Sequence, residues 1–201
     1  MSKARIAVLV SGGGTNLQAL LDAERAGRIP HGEIVLVLSS KPGVFALERA
    51  AAAGVPSVVC SRRDAASQEA FEDALLAALA EARVDLVVLA GFLSILGPRV
   101  IAAYPDRIIN VHPSLIPSFC GAGFYGLRVH EAALAYGVRV TGATVHLVNE
   151  IPDGGRILLQ KAVEIREGDT PEILQRRVME EAEWLLLPAA CEMMAKSLCN
   201  D

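Results

Sequence analysis

Along the chain, apolar residues come in short unbroken runs that alternate with longer segments where they recur every third or fourth position. Residues 5–10 (RIAVLV), 33–38 (EIVLVL) and 84–91 (VDLVVLAG) have no polar alternation, as expected of parallel strands covered on both faces. Residues 56–60 and 107–109 read as shorter strands of the same kind. Between them, residues 17–25, 45–53 and 67–83 have helical spacing. The last of these places Phe71, Leu75, Leu76 and Leu79 on one side and acids on the other. Regular alternation of strand and helix predicts an α/β fold: a doubly wound, Rossmann-like, mostly parallel sheet with helices on both faces. Its ligand crevice is expected at the carboxyl ends of the strands. The pattern changes in the second half. Residues 127–136 form a helix closed by Gly137, and residues 140–148 alternate so that Thr144, His146 and Val148 share a face. Residues 156–165 return after a tight loop, which predicts a C-terminal antiparallel hairpin. Thr170-Pro171-Glu172 then supplies a cap, a first-turn proline and an early acid for a long helix towards Lys196, which Pro188 should kink or divide.

Composition narrows the class. With 201 residues and 52% hydrophobic content the chain can close a core by itself. A net charge of −4 without a basic run offers no footprint for duplex nucleic acid. The four cysteines, Cys60, Cys120, Cys191 and Cys199, are widely spaced and form no C-x-x-C pair, so neither a disulfide framework nor a zinc ribbon is expected. Met1-Ser2-Lys3 runs straight into a short strand, and no apolar run approaches a membrane span. The expectation is a cytoplasmic protein with reduced thiols, no membrane contact and no nucleic-acid partner.

Candidate chemistry gathers at the predicted sheet edge. Ser11-Gly12-Gly13-Gly14 ends the first strand, and Thr15-Asn16 open the first helix. Consecutive glycines bring backbone N–H groups close to a ligand, and the helix start adds partial positive charge, so the element suits an anion. No Lys follows the glycines, which excludes the Walker pattern, and Leu17 replaces the last glycine of a dinucleotide fingerprint. A monophosphate fits better, with a ligand-free, capped βα turn as the alternative. Further on, Asn110-Val111-His112-Pro113 places two polar side chains on one side of a strand end. That is either a pair poised for chemistry or a core histidine with its partner. Asp153, beside Gly154-Gly155, is either a third functional group or a turn residue. None of these groups is a nucleophile: Ser114 lacks the G-x-S-x-G elbow, and no Cys sits beside a base. Asn, His and Asp without a nucleophile suit direct transfer between two bound substrates.

The chain resembles the folate-dependent glycinamide ribonucleotide (phosphoribosylglycinamide) formyltransferase family over nearly its whole length. The likeness rests on SGGGTNLQA at 11–19, VLAGFL at 88–93 with Ile95-Leu96, NVHPSLIP at 110–117, GATVH at 142–146 and Asp153-Gly154-Gly155. It implies a single domain over 1–201, with a phosphate-binding half at 1–105 and a half carrying catalytic and folate loops at 106–201. It implies Gly14, Thr15 and Asn16 as phosphate ligands and Asn110, His112 and Asp153 as the catalytic set. Leu93, Ser94, Ile95 and Leu96, with Asn110 and Asn149, Glu150, Ile151, Pro152 and Asp153, are the implied folate contacts. It further implies formyl transfer from 10-formyltetrahydrofolate to the amine of glycinamide ribonucleotide in purine biosynthesis, through a tetrahedral intermediate, without a metal. A homodimer is an open expectation.

The chain departs from the family pattern at three places. Ser94 stands where members often have Arg, and Glu183-Trp184-Leu185-Leu186-Leu187-Pro188 replaces Glu-His-x-x-Tyr-Pro. The spacing back to Val178 points to a one-residue insertion, so Glu183 is the candidate for the substrate's sugar or amine, with Glu181 as its rival. Residues 119–126 also differ from the common pattern. Competing readings are a formyltetrahydrofolate deformylase, with water in place of the amine, and a non-catalytic sugar-phosphate sensor. The sensor would keep Gly12 to Asn16 but has no need for Asn110, His112 and Asp153 together.

Overall fold

A computed structural model describes residues 2–200. Strands β1 (Ala4–Val10), β2 (Gly32–Ser39), β3 (Ser57–Val59), β4 (Leu86–Leu89), β5 (Ile108–His112), β6 (Val140–Leu147) and β7 (Ile157–Glu164) form one sheet in the order β3-β2-β1-β4-β5-β6-β7. The first five are parallel, while β6 runs antiparallel to both β5 and β7. The helices are α1 (Thr15–Arg25), α2 (Phe45–Ala52), α3 (Gln68–Glu81), α4 (Pro98–Ala103), α5 (Leu127–Tyr136), α6 (Pro171–Val178) and α7 (Trp184–Asn200). The winding reverses between β1 and β4, and in a doubly wound sheet a crevice opens at the carboxyl ends of such a pair.

Alternation along the buried strands divides the core between the two faces. Ile6, Val8, Val10, Leu86, Val88, Ile109 and Val111 pack on the side that holds Leu17, Leu20, Leu187 and Cys191. Ala7, Leu9, Val87, Leu89 and Ile108 pack on the side that holds Phe71, Leu75, Leu79 and Val100. Asn110 and His112 follow Ile108 at two-residue intervals, so both project to that second side. Ser67 caps α3 by accepting from the Ala70 N–H, and Thr170 caps α6 by accepting from the Ile173 N–H.

Three local features differ from the sequence reading. The short helix α4 follows Gly97 with Pro98 in its first turn, in a stretch too brief for periodicity to mark. On α3 the acids are not all on the solvent side: Glu72 is buried, hydrogen-bonded to Gln68 and set against Gly97. The C-terminal helix is divided ahead of Pro188, by a π-helical turn at Met179–Glu183. Pro188 lies inside α7 in the turn that follows, so its missing N–H falls beside a turn whose ordinary bonding is already widened.

Candidate active site

The glycine loop leaves β1 at Ser11 and enters α1 at Thr15. Gly14 has φ +72°, and a Cβ there would lie 2.7 Å from the Ala46 Cβ, so only glycine allows the loop to nest on α2. Asn16 is buried, and its Nδ2 donates to Glu183 Oε2 at 2.6 Å. Burial pushes the Glu183 carboxyl up to about 7, against the opposing effect of the Asn16 bond. Glu181, its rival, is 46% exposed and faces Arg166 at 3.7 Å. The π turn accounts for the choice, because its extra residue rotates Glu183 inward onto the glycine loop. A cation not anticipated from the sequence also belongs here: Arg49 of α2 donates from Nε to the Gly13 carbonyl and from Nη1 to Gln18, both at 2.9 Å.

A second group of polar side chains forms where β5 pairs with β6, with Asn110 opposite His146 and His112 opposite Thr144. Asp153 lies between the two imidazoles, 3.5 Å from His112 Nδ1 and 3.5 Å from His146 Nε2. The Asn110 amide nitrogen is 3.2 Å from His146 Nε2 and 3.5 Å from Asp153 Oδ1. His146 Nδ1–H donates to the Leu147 carbonyl, which leaves Nε2 facing the amide. His146 is thus part of the group rather than an incidental residue of a half-buried strand. Its position opposite Asn110 follows from the hairpin register, which was not available from sequence.

The loop at 118–126 closes over this group. His112 Nε2–H donates to the Phe119 carbonyl at 2.8 Å, and the Gly121 N–H donates to Asp153 Oδ2 at 2.8 Å. Phe119 holds a left-handed backbone with φ +51°, its ring set edge-on against Phe124 and Tyr136. Burial lowers the His112 pKa below the usual imidazole range, although the Phe119 carbonyl and the Asp153 charge favour the proton. For Asp153 burial acts upward, but the His146 ring, the Gly121 N–H and the His112 ring close to it prevail, leaving the carboxyl lowered. Asp153 itself has φ +56°. The loop behind it depends on Gly155, where a Cβ would fall 1.7 Å from the Leu147 carbonyl oxygen.

Two cavities open from this edge of the sheet. One, of about 150 Å³, is lined by Asn110, His146 and Asp153, by Phe92 and residues 94–96, and by residues 148–152. Of the residues anticipated there, Ser94, Ile95, Leu96, Asn149, Glu150, Ile151 and Pro152 all line it, while Leu93 faces the neighbouring cavity. That neighbour, of about 800 Å³, has Lys41, Arg62, Arg63 and Asp64 in its wall and shares Ser94. The Arg62-Arg63 pair just beyond β3 was its visible mark in the sequence.

Residues 4–190 match the family described as Formyl transferase. The trifunctional purine biosynthetic protein adenosine-3 of Drosophila melanogaster is 43% identical over 191 residues, 94% of this chain and 14% of that protein. The chain therefore spans a small part of that relative's length. Glycinamide ribonucleotide transformylase 1 from Symbiobacterium toebii has a TM-score of 0.91 at 43% identity, covering 97% of this chain and 89% of that one. Phosphoribosylglycinamide formyltransferase from Brucella melitensis has a TM-score of 0.88 at 44% identity, covering 96% of each chain. With its sheet order, its crevice and a family match along almost all of its length, the chain belongs to the formyl transferase family.

Proposed function

We propose that the chain is a phosphoribosylglycinamide formyltransferase, moving a formyl group from 10-formyltetrahydrofolate to the amine of phosphoribosylglycinamide. The observation that carries this reading is the group of Asn110, His112, His146 and Asp153 at the end of a small, largely apolar pocket. The pocket suits a flat heteroaromatic ring: Leu89, Phe92, Leu96, Val148 and Ile151 offer apolar walls, and Asn149 and Glu150 offer polar rims. When bound there, the co-substrate supplies a formyl group on a tertiary nitrogen. Its glutamate carboxylates would meet Lys41, Arg62 and Arg63 in the adjoining cavity, cations that stand in for the Arg replaced by Ser94.

The residues then divide the work by chemistry. Gly14, Thr15 and Asn16 hold the nucleotide phosphate at the start of α1, with Arg49 adding charge behind the loop. Glu183 takes the sugar or amine end, since its carboxylate faces the same loop through Asn16. Asn110 donates to the oxygen that becomes negative during transfer. Its 3.5 Å contact with Asp153 is the long bond that such an oxygen replaces. Burial disfavours a proton on His112, and the developing negative charge, added to that of Asp153, acts the other way and favours its protonated form. Asp153 also sits where it can order a water that carries the proton from the attacking amine to the folate nitrogen, which leaves as its bond to the formyl carbon breaks and the new carbon–nitrogen bond is kept.

The test follows formation of tetrahydrofolate and formate with and without phosphoribosylglycinamide. Turnover that requires the amine and leaves no free formate supports the transferase. Formate release without the amine identifies a deformylase, and retained phosphate binding without turnover identifies a sugar-phosphate sensor.

A further inference from the structure

The segment at 92–96 lines the pocket assigned above to folate, yet little fixes its backbone. Among the described residues, the one hydrogen bond made by a backbone group of this segment runs from the Leu93 N–H to Ser11 Oγ at 2.8 Å. Ser11 is the last residue before Gly12, is 5% exposed, and directly follows Val10, the end of the strand that delivers the glycine loop. Its oxygen also shares a 2.6 Å hydrogen bond with Ser40 Oγ at the end of β2. One buried hydroxyl therefore touches the ends of three parallel strands at the point where the winding reverses.

We propose that Ser11 is a positioning residue that couples the two substrate subsites. Ser11 is joined directly to residues 12–16, on which an anion would settle, and its hydroxyl is the acceptor for the Leu93 N–H of the segment at 92–96. Occupation of the glycine loop restricts Ser11, and a restricted acceptor holds Leu93 more firmly. The ring pocket is then better ordered for its ligand. Because coupling between equilibrium affinities is reciprocal, folate in the pocket tightens the phosphate site by the same factor. The two serines play different parts. Ser11 is the acceptor for Leu93, whereas Ser40 only shares a bond with that acceptor. This inference rests on the functional reading above for the identity of the pocket's ligand but not for the coupling itself.

The first measurement uses the unaltered protein. Hydrogen exchange of the peptide spanning 92–96 is followed with and without inorganic phosphate, and phosphate is expected to slow it. Exchange unchanged by saturating phosphate overturns the proposal, whatever reaction the chain catalyses. The second titrates tetrahydrofolate by calorimetry with and without phosphoribosylglycinamide. In Ser11→Ala, loss of one hydrogen bond is expected to weaken tetrahydrofolate binding about 5-fold, with the enhancement by the nucleotide abolished. The folate KM rises by a similar factor while kcat changes less. Ser40→Ala keeps the Leu93 bond and is expected to keep the enhancement. Full enhancement in Ser11→Ala, or its loss in both variants alike, overturns the role given to Ser11. Absence of formyl transfer together with phosphate-slowed exchange at 92–96 sinks the functional reading and leaves the coupling standing.

Discussion

Asn110 shows how a single side chain is held ready without being used up. Its amide is set by a 3.2 Å approach to His146 and only loosely shared with Asp153 at 3.5 Å, so the second N–H is free to turn to a better acceptor. If that acceptor is the oxygen of the reacting formyl group, Asn110→Ala removes one preorganised donor. A fall in kcat on the order of 10²- to 10³-fold is expected, with little change in KM, in steady-state assays of folate product. Turnover within a few-fold of the parent would remove Asn110 from the mechanism. Asp153 acts at longer range, through charge. Its carboxylate favours a proton on His112 against the burial that disfavours it. In Asp153→Asn that support is lost and the His112 pKa falls further. A reaction that needs the protonated ring then loses rate at lower pH. The alkaline limb of the pH–rate profile should move down, beyond the general fall in kcat, and an unmoved or raised limb would show that His112 does not work as the charged form.

At the scale of elements, the site depends on two backbone devices, a close pass and a change of helical phase. The close pass is at Gly155, where an added Cβ would meet the Leu147 carbonyl of β6 at 1.7 Å. Gly155→Ala must push the loop at 149–155 outward. A loss of about 1–3 kcal/mol in stability by urea unfolding and a raised folate KM are expected. Gly12→Ala, with open space at its Cβ and no positive φ, should keep the stability of the parent. The change of phase is the π turn at Met179–Glu183. Val178 and Glu183 are five residues apart and both buried, a spacing that α-helical geometry sends to different faces. This explains what the sequence could convey. Strand alternation was enough to pair Asn110 with His112, and turn composition with the family likeness marked Gly14 to Asn16 and Asp153. Choosing Glu183 over Glu181 required helical phase, which one inserted residue resets. His146 and Arg49 entered the site through strand register and helix docking, contacts between positions 36 residues apart in each case. Local pattern cannot supply those.

Across the whole molecule, two buried ionisable groups oppose each other in their effect on stability. His130, on α5, is fully buried, its ring nitrogens have no partner among the described residues, and burial lowers its pKa to about 4. The unfolded chain, with an ordinary imidazole near 6.5, binds this proton more readily than the native state, so His130 makes stability fall as pH drops from about 6.5 to about 4. Glu183 has the opposite sign. Its carboxyl is raised to about 7 from an ordinary 4.5, so the native state binds the proton more readily. Its contribution is complete below 4.5 and is lost as pH rises through 7. Where the two windows overlap, the slopes largely cancel, each being about 1.4 kcal/mol per pH unit at most. Single substitutions should therefore expose what the parent conceals. Relative to the parent, Glu183→Gln should gain stability as pH rises from 4.5 to 7, by on the order of 3 kcal/mol. His130→Gln should gain relative to the parent by a similar amount as pH falls from 6.5 to 4. Urea unfolding of both variants and the parent at several pH values across this range reads the differences directly. Taking differences cancels the groups left unchanged, including the lowered carboxyls of Asp153 and Asp169. Parallel curves for parent and variants would mean that neither group carries its perturbed pKa into the folding equilibrium.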